Sequence, residues 1–233
     1  MKIEIIVPAY EELENLEILL PQWSELSSSL KDQVQLRWLI ILEPDPAWER
    51  YQSVKPEALD IQFIAREDGV TYGSALRTGI QSVSDTADAV LFMDADGSHD
   101  ANEINGMLGA LKAGNDIVIA SRYVRDGATD NPVVLIWLSR ILNVLFRLSI
   151  GSNVRDISNS FKLYRRELLR GLQVTSENFE AVEEIFVFAS SRATSIIELP
   201  THFSSRLRGT SKRRWANFVL TYFMFLRRHR RSS

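Results

Sequence analysis

Residues 89–120 read AVLFMDADGSHDANEINGMLGALKAGNDIVIA. A short apolar run, Ala89 to Met93, is followed by an acidic turn, a helix-period pattern from Ala101 to Lys112 and a second apolar run, Ile117 to Ala120. The same alternation extends towards the N-terminus. Ile3 to Val7 is a strand-length run ending in a proline, and Leu13, Leu16, Leu19, Leu20 and Trp23 recur at helical spacing. Leu36 to Leu42 and Ile61 to Ala65 read as further strands, and Tyr72 to Val83 as a helix. Strands alternating with helices predict an α/β domain, a mainly parallel sheet flanked by helices on both faces. The sequence contains no internal repeat, low-complexity segment or clear linker, so one domain with a C-terminal appendage is expected.

In such a sheet ligands sit beyond the carboxyl ends of the strands. The segment leaving Met93 is Asp94-Ala95-Asp96-Gly97-Ser98-His99-Asp100, two carboxylates spaced i, i+2 at the end of a buried strand. They converge only if the chain turns there, and Gly97 supplies that freedom. Hard oxygen ligands with few basic neighbours suit Mg²⁺ or Mn²⁺, ions that bridge a few carboxylates to substrate phosphates. A solvated acidic turn is the plainer alternative. His99 is expected to order this loop or face water rather than bind metal.

At 45% apolar and 24% charged, the 233 residues have the composition of a globular protein able to bury a sizeable core. The absence of cysteine excludes disulfides, thiolate nucleophiles and Cys-ligated metal centres. The net charge of −3 conceals an asymmetry: of 27 Lys and Arg, nine fall from Arg206 onward with no acid among them, leaving 18 bases against 30 acids before it. A basic end on an acidic body points to an anionic partner. Glu4 and Pro8 interrupt the apolar run a signal peptide needs, so secretion is not expected. Val133 to Ile150 is strongly apolar but contains Arg140 and Arg147, and Phe218 to Leu226 is short against the ~20 residues of a spanning helix. In the first, Arg140, Asn143 and Arg147 form one polar stripe, which suits a core helix with a narrow wet face or a helix in a membrane interface. The second is flanked by KRRW and RRHRR, the pattern of an amphipathic helix lying on anionic headgroups rather than on nucleic acid; a disordered solubilising tail is the alternative.

Several segments, in order, resemble the family 2 glycosyltransferases, and in particular their dolichyl- or polyprenyl-phosphate mannosyltransferase branch. Pro8, Tyr10, Glu12, Glu14, Asn15 and Leu16 match the family's first-strand signature, with Glu11 in an asparagine's place. Gly73 to Gly79 (GSALRTG) resembles its glycine-rich helix start, VLFMDADGSHD its metal-binding segment, and Ile119 to Tyr123 the following strand with its Arg-Tyr pair. Asp156 to Glu167 (DISNSFKLYRRE), Glu198-Leu199-Pro200 and Arg206 to Lys212 (RLRGTSK) complete the series over residues 2 to 212. Two positions depart from the pattern. Where the family has an Asp-Asp-x-Ser-x-Asp-Gly-Thr motif for the nucleotide base, this chain has Glu43-Pro44-Asp45-Pro46, whose prolines remove donors and stiffen the loop. Of a Gln-x-Glu segment, only Glu184 matches.

The resemblance implies a GT-A (Rossmann-like) fold over residues 1–212, a basic amphipathic tail over 213–233, and metal-dependent, inverting transfer of a hexose from a nucleotide-diphosphate sugar to polyprenyl or dolichyl phosphate. GDP-mannose or UDP-glucose is the implied donor. Asp94 and Asp96 would hold the divalent ion. Pro8, Tyr10, Glu12, Glu43, Asp94, Arg122, Arg206 and Lys212 would bind the nucleotide sugar, and Asp156, Arg122 and Asp96 would act in catalysis. A lipid-phosphate acceptor is already an anion, whereas a glycan hydroxyl would need a base, for which Asp156 is the first candidate. Asp156 also suits the N-cap of a helix starting near Ser160. The enzyme is expected in the cytoplasm, peripheral on the inner membrane face, with no nucleic-acid partner. A non-catalytic nucleotide-sugar binding module is the reading from another class.

Overall fold

The computed structural model describes residues 1–67 and 69–208. In chain order its elements are β1 (Lys2–Pro8), α1 (Leu13–Leu30), β2 (Gln35–Leu42), α2 (Trp48–Ser53), β3 (Ile61–Ala65), α3 (Tyr72–Ser82), β4 (Ala89–Phe92), α4 (Glu103–Lys112), β5 (Ile117–Ser121), β6 (Ala128–Thr129), α5 (Val133–Ile150), β7 (Lys162–Arg165), α6 (Ala181–Ser190), β8 (Ile196–Pro200) and β9 (His202–Phe203). Seven strands form one sheet in the order β3-β2-β1-β4-β7-β5-β8; β6 and β9 pair separately. All neighbours in the large sheet are parallel except β7, which is antiparallel to β4 and β5.

Period-2 side-chain alternation divides the apolar strands between two cores. Ile3, Ile5, Val7, Trp38 and Ile40 pack with α1 and α4, while Ile6, Leu39, Ile41 and Phe92 pack with α3, α5 and α6. In the first core, Trp23 of α1 stacks on Trp38 of β2 with centroids 4.4 Å apart. Each such large side chain contributes on the order of 2–3 kcal/mol through burial alone. The carboxyl ends of β1, β2, β3 and β4 come together at one edge, where the loops carry the candidate site.

The strands and helices expected within the first 120 residues all form, with ends shifted by one or two residues, except that α1 runs on from Trp23 to Leu30. Residues after 150 depart from expectation. No helix begins near Ser160: the chain enters β7 there, so Asp156 is not a helix cap. Helix α5 spans Val133–Ile150 but fits neither simple reading of its sequence. Only Leu142, Asn143 and Phe146 are buried, and Asn143, expected on the polar face, is turned inward, where its side chain accepts from the Ile157 and Ser158 amides at 2.7 and 3.1 Å. The outer face is apolar. Trp137 is 61% exposed, Leu148 71% and Val134 76%. By length and composition α5 could cross a membrane, with a mean hydropathy of 1.8, but its inner residues are built into the second core.

Candidate functional site

The turn after β4 is held by a network rooted in His99. The Asp94 amide donates to His99 Nδ1 at 3.1 Å, which leaves the proton on Nε2 to donate to Asn159 Oδ1 at 3.2 Å; Asn159 Nδ2 donates to the Ala120 carbonyl at 2.6 Å. The imidazole is buried and stacked on Phe161. His99 thus orders the loop, as its sequence context suggested. Gly97 adopts φ +78°, the left-handed conformation the turn requires, and a Cβ there would lie 2.4 Å from Leu207 Cγ.

Asp94 and Asp96 line a cavity of about 310 Å³ at the carboxyl ends of the strands, together with Pro8, Tyr10, Glu12, Arg66, Tyr72 and Arg206. Asp94 accepts from Tyr72 Oη at 2.7 Å and from Ser160 Oγ at 2.9 Å. Asp96 Oδ1 accepts from the Ser98 amide and hydroxyl, while its Oδ2 lies 3.6 Å from Arg206 Nε. Arg206 reaches the site because the chain after β9 folds back over the turn: the Ser204 amide donates to Ser98 O and the Leu207 amide to Asp96 O, at 3.0 and 2.9 Å. Its guanidinium also pairs with Glu12. Burial raises the Glu12 carboxyl above its ordinary range, although Arg206 pulls the other way.

Two of these carboxylates suit a divalent ion. Among the described residues there is no cluster of three or more potential protein ligands, but Asp94 and Asp96 offer hard oxygen donors into a space roomy enough for a diphosphate. That partial shell is the kind Mg²⁺ and Mn²⁺ complete with substrate phosphate and water.

The remaining wall was not among the residues the sequence motifs singled out. Arg66, at the end of β3, donates from Nε to Leu42 O at 2.8 Å and from Nη1 to Thr71 O at 2.7 Å, and its guanidinium lies 5.6 Å from the Tyr10 ring centroid. The strand-end rule that singled out Asp94 could have found it. Tyr72 stacks on Phe179 at 4.5 Å, and the segment carrying Phe179 lies against Gly73, where a Cβ would meet Ser176 O at 2.0 Å.

The other expected site residues fall elsewhere. Glu43 lines an adjoining depression of about 260 Å³ that shares Glu12 with the first; it accepts from Tyr51 Oη at 3.0 Å. Burial, reinforced by Glu43, raises the Tyr51 phenol, so the tyrosine stays the donor. Arg122 and Asp156 are brought together, but with each other and away from the cavity. The Arg122 amide, Nε and Nη2 donate to the Asp156 carboxylate at 2.9, 2.8 and 2.7 Å. Asp156 is fully buried; burial alone would raise its pKa, but the guanidinium outweighs this and holds the carboxyl below its ordinary value. Beneath the pair, Lys162 Nζ donates to Ile157 O at 2.7 Å and also to Asn159 O. Lys212 and the expected C-terminal helix lie outside the described residues.

A doubly covered, mainly parallel sheet with a two-carboxylate turn beside a cavity and an arginine defines the class: a glycosyltransferase domain of the GT-A fold. The glycosyl transferase family 2 model matches residues 4–172, and the chain belongs to that family. It is 30% identical over 220 residues to a dolichol-phosphate mannosyltransferase of Pyrococcus furiosus, covering 91% of this chain and 59% of that protein; the chain therefore spans less than two thirds of that relative. A polyprenol monophosphomannose synthase of Mycolicibacterium smegmatis is 29% identical, with 91% of this chain and 81% of the relative covered. The fold is shared with glucosyl-3-phosphoglycerate synthase of Mycobacterium tuberculosis, solved with Mn²⁺, uridine diphosphate and glucosyl-3-phosphoglycerate (TM-score 0.67, 17% identity, 95% of this chain and 76% of that one covered).

Proposed function

We propose that the protein transfers a hexose, mannose or glucose, from a nucleotide-diphosphate sugar to polyprenyl phosphate at the cytoplasmic face of a membrane. The observation that carries the reading is the convergence of Asp94, Asp96 and Arg206 on one cavity at the strand ends. Asp94 and Asp96 would hold a Mg²⁺ or Mn²⁺ ion, whose charge would offset that building on the departing diphosphate. Arg206, and Lys212 beyond it, would meet phosphate oxygens, the arginine in a bidentate manner. Pro8, Tyr10 and Arg66 would flank the nucleoside, with Glu43 at its far end.

The transfer is a single displacement. An acceptor phosphate oxygen forms the bond to the anomeric carbon as the bond to the diphosphate breaks, and the nucleoside diphosphate leaves with that electron pair. The acceptor oxygen is already anionic and needs no base. Asp156 is consistent with this, since its carboxylate is spent on Arg122 and has no exposed surface; a hydroxyl acceptor would need such a carboxylate within about 3 Å. We assign Asp156 the task of setting the Arg122 guanidinium and the loop that carries Ser160 beneath Asp94. The outward apolar face of α5 supports a membrane surface as the place of work.

Incubating purified protein with labelled GDP-mannose or UDP-glucose, Mn²⁺ and a short polyprenyl phosphate should yield a labelled glycolipid with one of the donors. Transfer only to a glycan hydroxyl, or nucleotide binding without turnover, would replace this reading.

A further inference from the structure

Beside α5, Tyr123, Arg140, Asn143, Val144, Arg147 and Arg155 enclose a second cavity of about 240 Å³. It shares no residue with the cavity at Asp94 and Asp96. Three of its six walls are arginines. Among the described residues none of these three guanidiniums has a carboxylate within ion-pair distance, whereas neighbouring Arg122 is paired with Asp156 and Arg125 with Asp126. The nearby Glu198 carboxylate is engaged by the backbone amides of Arg155 and Asp156 at 2.8 and 2.9 Å. Arg140 is steadied over the Tyr123 ring, 5.2 Å from its centroid.

The second observation is the position of these charges on the helix. At about 100° per residue, Val133, Val134, Trp137, Ile141, Val144, Leu145 and Leu148 fill one arc about 120° wide, with Arg140 and Arg147 on its edge. All seven are exposed. An exposed apolar arc rimmed by bases is the signature of a helix lying in a membrane interface, its apolar side against acyl chains and its bases at headgroup level. Two arginines on the rim and a third across the cavity can grip one phosphate from several sides, because guanidinium forks suit phosphate oxygens.

We infer that the Arg140, Arg147 and Arg155 cavity is a headgroup site for an anionic phospholipid, and that it docks α5 onto the bilayer. The inference extends the membrane-surface part of the proposed function and does not depend on the sugar, donor or metal. The site holds a phosphodiester that is neither donor nor acceptor, and it sets the height and tilt of the catalytic cavity above the lipid.

The chain has no cysteine, so Leu148→Cys carries a single environment-sensitive fluorophore on the full-length protein. On phosphatidylcholine vesicles containing phosphatidylglycerol at roughly one part in three, the label should shift to the blue and be quenched by brominated acyl chains. Phosphatidylcholine alone should leave it unchanged. Adding Arg140→Ala and Arg147→Ala should weaken the response about 30-fold in lipid concentration, about fivefold per arginine. Transfer to a short polyprenyl phosphate in detergent should be retained by the double variant. A label indifferent to both vesicles, or a shift driven by protein concentration alone, as a second copy on the arc would give, overturns the inference. So does lost transfer in detergent with vesicle binding unchanged, which would make the cavity the acceptor's own site. Lack of transfer in the unsubstituted protein, with the label still responding, would instead count against the proposed reaction alone.

Discussion

Replacing Asp156 by Asn tests whether the buried Arg122–Asp156 pair holds this end of the sheet together. The carboxylate accepts three N–H bonds from Arg122 alone. The amide offers one oxygen, and its NH₂ faces guanidinium donors; among the described residues the cation keeps Ser158 Oγ, at 3.0 Å, and the faces of the Tyr123 and Phe203 rings, 5.0 and 5.4 Å from their centroids. Breaking a buried pair by removing one partner costs about 3–5 kcal/mol. For a chain of this length that lowers Tm by roughly 6–20 °C, at 2–4 °C per kcal/mol. Thermal unfolding followed by circular dichroism reads the shift. The double variant Arg122→Met, Asp156→Leu should recover part of it, since apolar replacement of a whole buried pair is often neutral. Recovery stays incomplete because the Arg122 amide loses its acceptor, at about 1–3 kcal/mol. Acid supplies a second reading. The folded-state pKa of Asp156 lies below its ordinary 3.8, so the pair's contribution is complete above that value and fades as pH falls through the lower folded one. A D156N variant that melts within about 2 °C of the parent would refute the reasoning, because no buried cation would then depend on the carboxylate.

Asp96→Asn should abolish divalent-ion-dependent turnover with Tm nearly unchanged, read by donor consumption across an Mn²⁺ titration; full activity would remove the role given to Asp96. Gly73→Ala should lower stability by about 1–3 kcal/mol and weaken donor binding together, since its Cβ would strike the Ser176 carbonyl and displace the wall carrying Phe179; calorimetric titration with the nucleotide diphosphate checks it. Burial, partly offset by Glu183, pushes Lys162 from 10.5 down to about 8. Between those values the unfolded chain binds the extra proton, so stability should rise with pH above 8. Lys162→Met should flatten that rise in urea unfolding up to about pH 10, where tyrosine ionisation intervenes.

Apart from the short helix α2, which the sequence reading did not mark, the first 120 residues were legible because each longer strand or helix carries its own period. Ile61 to Ala65 is an apolar run read to the residue, and the acidic turn was placed by the strand it terminates. Legibility fell after Ile150 for a physical reason: β7 is short, antiparallel and contains Lys162 and Arg165, so nothing local marks Lys162-Leu163-Tyr164-Arg165 as the strand between β4 and β5. The wall residues Tyr72 and Phe179 meet through tertiary packing of segments about a hundred positions apart. Asn143 was misread because its partners, the amides of Ile157 and Ser158, lie in the loop between α5 and β7. The collinear motifs placed Pro8, Tyr10, Glu12, Asp94, Asp96 and Arg206 around one cavity, yet could not tell that Arg122 and Asp156 face each other.

The acceptor defines the proposed reaction. Purified protein, Mn²⁺, each labelled nucleotide sugar and a short polyprenyl phosphate are incubated beside the same mixture containing the dephosphorylated prenol. A labelled, acid-labile glycolipid is expected with the phosphate and none with the prenol. Equal transfer to the prenol, or none to the phosphate with any donor, would contradict it.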